Sequence, residues 1–125
     1  MTEKRIILGL TEKIIVLGPD KEEKVVARID SGATASSIDL KLSAKLGLGP
    51  ITRTKIVKSA SGIKRRPIII VKVKINGDIL EEEFTLADRV HMTYPVLIGQ
   101  NILKKGKFLI DPNKGEKKWK VPLFL

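Results

Sequence analysis

Ala27-Arg28-Ile29-Asp30-Ser31-Gly32-Ala33-Thr34 is the stretch that decides the fold. The run from Lys24 to Ile29 has the composition of a strand and leads directly into Asp-Ser-Gly, which predicts a strand that delivers Asp30 at its end. Gly32 has no Cβ, so backbone can approach a carboxylate closely there. Asp and Gly also take these places in ordinary turns. Average residue usage produces Asp-[Ser/Thr]-Gly in about 5% of chains this long, so the tripeptide decides little without its surroundings.

Working outward, short apolar runs alternate with turn signals. Ile6 to Leu8 and Ile14 to Leu17 read as strands, with Gly18-Pro19-Asp20 as a turn before the run that ends at Asp30. Ile68 to Ile75 is rich in β-branched residues. Asn76-Gly77 follows it, the commonest two-residue hairpin signal, because both positions tolerate positive φ. Leu80 to Leu86 is the predicted partner strand, with Glu81 and Glu83 alternating against Glu82 and Phe84. Val96 to Ile98 and Lys107 to Ile110 are two further short runs. Helix is scarce. Asp39 to Leu46 predicts one short helix, capped by Ser37 or Asp39 and stopped at Gly47; Gln100 to Lys104 predicts another, ending at Gly106. Six or seven strands with one or two short helices imply an all-β, closed, barrel-like sheet, read as a single domain over residues 1–125.

Composition narrows the function classes. A chain of 125 residues buries roughly two-thirds of its unfolded surface, so it folds without disulfides or metal. The absence of cysteine excludes a disulfide framework, a thiol nucleophile and Cys-ligated zinc. A catalytic zinc needs three protein ligands, and the chain has one histidine, His91, and no His-Glu-x-x-His. No Gly-x-x-x-x-Gly-Lys-[Ser/Thr] phosphate loop is present. No cofactor and no metal are therefore expected. The charged start, Met1 to Arg5, and the lack of a long apolar run predict a cytoplasmic protein with no membrane span. Lys and Arg number 24 against 14 Asp and Glu, a net charge of +10, which favours anionic partners.

Two further segments extend the pattern around Asp30. Ser59-Ala60-Ser61-Gly62 is a Gly-tipped hairpin candidate between strands around Val57 and Ile68, and Tyr94-Pro95-Val96-Leu97-Ile98-Gly99-Gln100-Asn101-Ile102-Leu103 reads as strand, glycine, helix. An Asp-[Ser/Thr]-Gly-Ala loop, a flap and an apolar-apolar-Gly-helix segment, in that order, resemble the retropepsins, one-domain aspartic proteases of the retroviral type. More narrowly, the chain is similar to a prokaryotic retropepsin-like group that carries the label "ATP-dependent zinc protease". The matching stretches are Leu8 to Glu12, Ala27 to Ser37, Ser59 to Pro67 with Arg65-Arg66-Pro67, Leu86 to Leu103 with Asp88-Arg89 and Met92-Thr93-Tyr94-Pro95, and Phe108 to Pro112. The zinc and ATP in that label find no matching motif here.

The resemblance implies a closed retropepsin-like barrel and an aspartic endopeptidase. It implies Asp30, Ser31 and Gly32 as the catalytic loop, with Ser31 bonding across a dimer. Ala33 would leave room for substrate backbone. Ser59, Ala60, Ser61 and Gly62 would close over the substrate, with Lys58, Lys64, Arg65 and Arg66 on the flap arms. Peptide hydrolysis by this route needs two carboxyls about 3 Å apart that share one proton, because both cannot ionise together. The chain carries one such motif, so the second carboxyl would be Asp30 of a symmetric copy, making the enzyme a homodimer. Ser31 stands where Thr is usual, Thr34 where this group often has Arg, and Gln100-Asn101 where retropepsins carry an Arg and an acid that brace the dimer. Relatives of this kind are associated with ligases that attach glutamate tails to a ribosomal protein, which implies an acidic peptide or protein substrate. The competing reading is a non-enzymatic basic β-barrel that binds RNA or the ribosome. Charge favours it; an aromatic content of 4%, with Trp119 and Tyr94 the only Trp and Tyr, offers little for base stacking.

Overall fold

In a computed structural model, residues 4–60, 62–89 and 92–115 are described; Ser61, His91 and Trp119 lie outside them. The described chain runs through β1 (Ile7–Leu8), β2 (Thr11–Leu17), β3 (Glu22–Ile29), β4 (Ser36–Asp39), α1 (Leu40–Lys45), β5 (Ile51–Ser59), β6 (Gly62–Ile75), β7 (Asp78–Ala87), β8 (Val96–Ile98), α2 (Gln100–Lys105) and β9 (Leu109–Ile110).

The turn at Asn76-Gly77 sets the central hairpin. Both residues take positive φ, 48° and 92°, so β6 folds straight back on β7 in antiparallel register from Ile75↔Asp78 to Ile68↔Thr85. The inward side of β6 carries Val71, Val73 and Ile75, all buried, while Ile70, Lys72 and Lys74 are exposed. That two-residue period puts one face in the core. The main sheet runs β2-β3-β8-β4-β7-β6, and β6 pairs back on β2, closing a six-stranded barrel. Closure rests on Ile15↔Lys74, Val16↔Val73 and Leu17↔Lys72. β5 pairs with β6 and lies outside the closed ring. β1 and β9 form a separate two-stranded parallel ribbon.

Phe84, Ile14, Val16, Ile38, Val96, Ile98 and Ile102 are among the fully buried side chains of one core. Each stabilises the fold by about 1.5–3 kcal/mol relative to exposure. The helices are six residues long, too short to persist alone. α1 starts where the Asp39 carboxylate accepts the Leu42 N–H at 3.3 Å and ends before Gly47, at φ 66°. α2 stays in place by burying Ile102 and Leu103.

The three consecutive glutamates of β7 divide by face, as the alternation predicts. Glu81 meets Lys72 and Glu83 meets Arg53, while Glu82 meets Lys105 of α2. Four elements differ from the sequence expectation. β9 starts at Leu109 instead of Lys107, because Lys107 takes a positive φ of 52° outside the strand. β2 begins at Thr11, because polar Thr11, Glu12 and Lys13 still pair with Arg28, Ala27 and Val26. β6 begins at Gly62, six residues before its apolar run. β4, Ser36-Ser37-Ile38-Asp39, is an additional strand; its serines are buried by polar partners, so it lacks the apolar signature of a core strand.

Candidate active site

Asp30 sits where β3 leaves the sheet. Parallel pairing sets Ala27, Arg28 and Ile29 beside Val96, Leu97 and Ile98, and the Asp30 N–H extends that ladder by donating to Ile98 O at 2.9 Å. The loop then folds over its own acid. Gly32 N–H donates to Asp30 Oδ1 at 3.0 Å, and Ala33 N–H donates to Asp30 O at 3.2 Å. A Cβ on Gly32 would lie 3.3 Å from the same carboxylate oxygen. Ser31 and Gly32 are exposed and Asp30 is half-buried.

Gly99 and the start of α2 hold this loop from below. Gln100 N–H donates to Ala33 O, and Gln100 Nε2 donates to Ser31 O, both at 2.8 Å. Gly99 is packed so closely that a Cβ would lie 2.2 Å from Ala35 O. Its N–H donates to Ser36 Oγ at 2.9 Å, and that hydroxyl donates to Asn101 Oδ1 at 2.7 Å. Asn101 Nδ2 donates to Glu83 O at 2.9 Å, and Thr85 Oγ1 donates to Ser36 O at 3.3 Å. Gln100 thus braces the Asp30 loop directly, and Asn101 braces it through Ser36.

A groove of about 390 Å³ opens beside the loop. Gly32, Ala33, Thr34 and Ala35 line it on the loop side; Lys55, Val57 and Arg66 line it from the β5–β6 ribbon; Ser37, Thr85, Arg89 and Leu97 complete it. Among the described residues, its lining contains three cations and no carboxylate. Arg89 is fixed in place: Nε donates to Tyr94 O at 2.9 Å, one terminal nitrogen donates to Ser37 Oγ at 3.0 Å, and its own N–H donates to Asp39 Oδ1 at 2.9 Å. Burial pushes the Arg89 guanidinium below its usual range; Asp39 opposes that shift and Arg66 adds to it.

The structure places the predicted flap as the β5–β6 ribbon, with Lys55↔Arg66, Val57↔Lys64 and Ser59↔Gly62 in register. Gly62, at φ 119°, and exposed Ala60 stand at its tip. Arg66 lines the groove; Arg65, one residue before it, falls on the opposite face by the alternation of the strand. Lys55, Arg89, Ser36 and Asn101 had no predicted role. The period-two spacing from Val57 points to Lys55. Arg89 lies on a non-strand segment between β7 and β8, and only tertiary structure brings it under the ribbon.

Residues 41–120 match the family profile "RimB-like: Retropepsin-like aspartic endopeptidase RimB". The chain belongs to the RimB-like family. The matched span carries both arms of the ribbon, Arg89 and α2, and begins after the Asp30 loop. Solved structures agree on the fold. A Legionella pneumophila protein of unknown function superposes with a TM-score of 0.62 at 19% identity, covering 87% of this chain and 95% of that one. The EIAV protease, complexed with the inhibitor HBY-793, gives 0.60 at 18%, covering 82% and 88%. The simian foamy virus (mac) protease in solution gives 0.57 at 21%, covering 75% and 91%. At these identities the likeness establishes a retropepsin-like fold alone. No curated protein matches the chain. Among the described residues, no helix is long and apolar enough to cross a membrane, and no three His, Cys, Asp or Glu residues gather where they could hold a metal.

Proposed function

We propose that the protein is an aspartic endopeptidase that works as a homodimer, each copy supplying Asp30 to one shared site. The observation that carries this reading is the loop itself. A half-buried carboxylate accepts the Gly32 N–H at 3.0 Å and sits beside a groove that could hold an extended peptide. Family membership supports the reaction class. Two Asp30 carboxyls brought together would share one proton; the ionised member would take a proton from a water between them, and the protonated member would donate to the scissile carbonyl oxygen or the leaving amine. The second copy would dock on the face that exposes Ser31. A cleft of about 550 Å³ there is lined by Ser31, Gln100, Leu103, Phe108 and Ile110 together with Arg5, Lys104 and Lys107, which sets apolar surface and three cations next to the loop.

The substrate we propose is an acidic peptide segment. Lys55, Arg66 and Arg89 give the groove one sign of charge, and the net charge of +10 would steer acidic chains toward it.

Cleavage of an acidic peptide by Asp30→Asn protein, beside its melting curve and sedimentation, tests the reaction. The expected outcome is a loss of about a thousandfold or more with fold and dimer retained. Full activity in Asp30→Asn, or a monomer at every concentration at which cleavage occurs, would overturn it. RNA binding that fades steeply with salt and ignores Asp30→Asn would instead favour a basic binding module.

A further inference from the structure

The groove cations stand on two different bodies. Arg89 belongs to the barrel side, where Tyr94 O and Ser37 Oγ orient its guanidinium. Arg66 belongs to the β5–β6 ribbon, which joins the barrel through the inner half of β6 and carries no buried residue between Gly62 and Pro67. The two line the same groove, in whose lining no described residue is a carboxylate, so each opposes the approach of the other. Lys55, paired with Arg66 across the ribbon, adds to that opposition. A ribbon that must come down over a peptide therefore meets like charge beneath it. A carboxylate placed between the two guanidiniums turns the repulsion into two attractions, and a neutral side chain does not.

Resting on the peptidase reading above, we propose that an acidic side chain of the substrate bridges Arg89 of the barrel and Arg66 of the ribbon, and that this bridge draws the ribbon onto the groove. Arg89 is the fixed anchor, because Tyr94 O and Ser37 Oγ hold two of its donors while the residue lines the groove. Arg66 is the mobile half. A guanidinium suits this role because its planar donors meet a carboxylate in two parallel bonds. Selection for acid is then built into closure as well as into capture.

The test uses two fluorescent peptides, one alternating Glu and Ala and one alternating Gln and Ala. Binding is measured by anisotropy on full-length Asp30→Asn protein, and cleavage on the unmodified chain. The Glu peptide should bind at least about tenfold more tightly than the Gln peptide, as charge-assisted hydrogen bonds imply. Arg66→Gln should reduce that ratio to within about twofold. Lys74→Gln, an exposed barrel position with the same change in net charge, should leave the ratio in place. Arg89→Gln removes bonds that hold its own segment, so Arg66→Gln carries the decision. Equal binding of the two peptides, an equal fall in Arg66→Gln and Lys74→Gln, or displacement of the Glu peptide by a short RNA at comparable concentration would overturn the bridge. If the unmodified chain cuts neither peptide while the binding pattern holds, the peptidase reading fails and the bridge stands. If it cuts both alike and Arg66→Gln changes nothing, the bridge fails and the peptidase reading stands.

Discussion

The loop after β3 and the β5–β6 ribbon face each other across one groove and are built in opposite ways. The loop from Asp30 to Ala35 is short and almost every backbone turn of it is tied down: Asp30 to Ile98, Ala33 to Asp30, and Gln100 to both Ala33 and Ser31. Beneath it Ser36, Gly99 and Asn101 form a closed polar network, and no buried side-chain polar atom among the described residues lacks a partner. The ribbon is held by its strand ladder, with the Arg53–Glu83 pair tying its base to β7. Ile56 and Ile63 on it are 56% and 69% exposed. A rigid loop can present a carboxylate at a fixed position, while a ribbon without a core of its own can move at small cost. Positioning and access are thus assigned to different parts of the chain.

Gly99→Ala should blunt this contrast most. A methyl 2.2 Å from Ala35 O and 2.9 Å from Ala33 O meets backbone that cannot step aside, so the loop must shift. Denaturant unfolding should show a loss of about 3 kcal/mol or more, and cleavage should fall with it. A smaller effect is expected from Ser36→Ala, which strips the Gly99 N–H of its acceptor and Asn101 Oδ1 of a donor. Leaving such a buried group unpaired costs about 1–3 kcal/mol. Ser36→Ala with native stability would mean that the network does not brace the loop.

The ribbon is expected to respond far less. Arg53 on β5 forms a two-pronged pair with Glu83 of β7 at 2.7 and 2.9 Å, and that hydrogen bond holds the Glu83 carboxyl below its ordinary value. A lowered carboxyl contributes stability above its ordinary titration range, and loses it as pH falls through the lower, folded value. Glu83→Gln should therefore lower the melting temperature at neutral pH, by no more than about 3 °C for so exposed a pair, and the difference from the unmodified chain should vanish in acid. A persistent gap at low pH would point to packing instead of charge. The smallest effect belongs to Ile63→Thr at the ribbon's exposed face: a change within about 0.5 kcal/mol, read by the same unfolding curve.

How much was legible in advance follows the same division. Strand β8 and both helices lie within a residue or two of their predicted places, because Val96-Leu97-Ile98, the Asp39 cap and the glycines at 47, 99 and 106 are local signals. Asp30 at the end of β3 was legible for the same reason. β4 was not, since Ser36 and Ser37 are buried by bonding to Asn101 and Arg89, residues more than fifty positions away. Arg89 was hidden for that reason too: its sequence neighbours say nothing of the groove. The flap arms were legible as the segments carrying Lys58, Lys64, Arg65 and Arg66, but the start of β6 as a regular strand at Gly62 was not, because its apolar run begins only at Ile68.

Strand β5 has a neighbour on one side only among the described residues. Its other margin offers backbone donors and acceptors to any passing strand, a standing invitation to intermolecular stacking. Lys55 and Lys58 set positive charge along that margin, so two such edges repel before they can anneal. Lys55, which helps attract an acidic chain to the groove, thus also helps keep crowded copies of the protein apart, and neutralising it would endanger solubility before it touched the barrel.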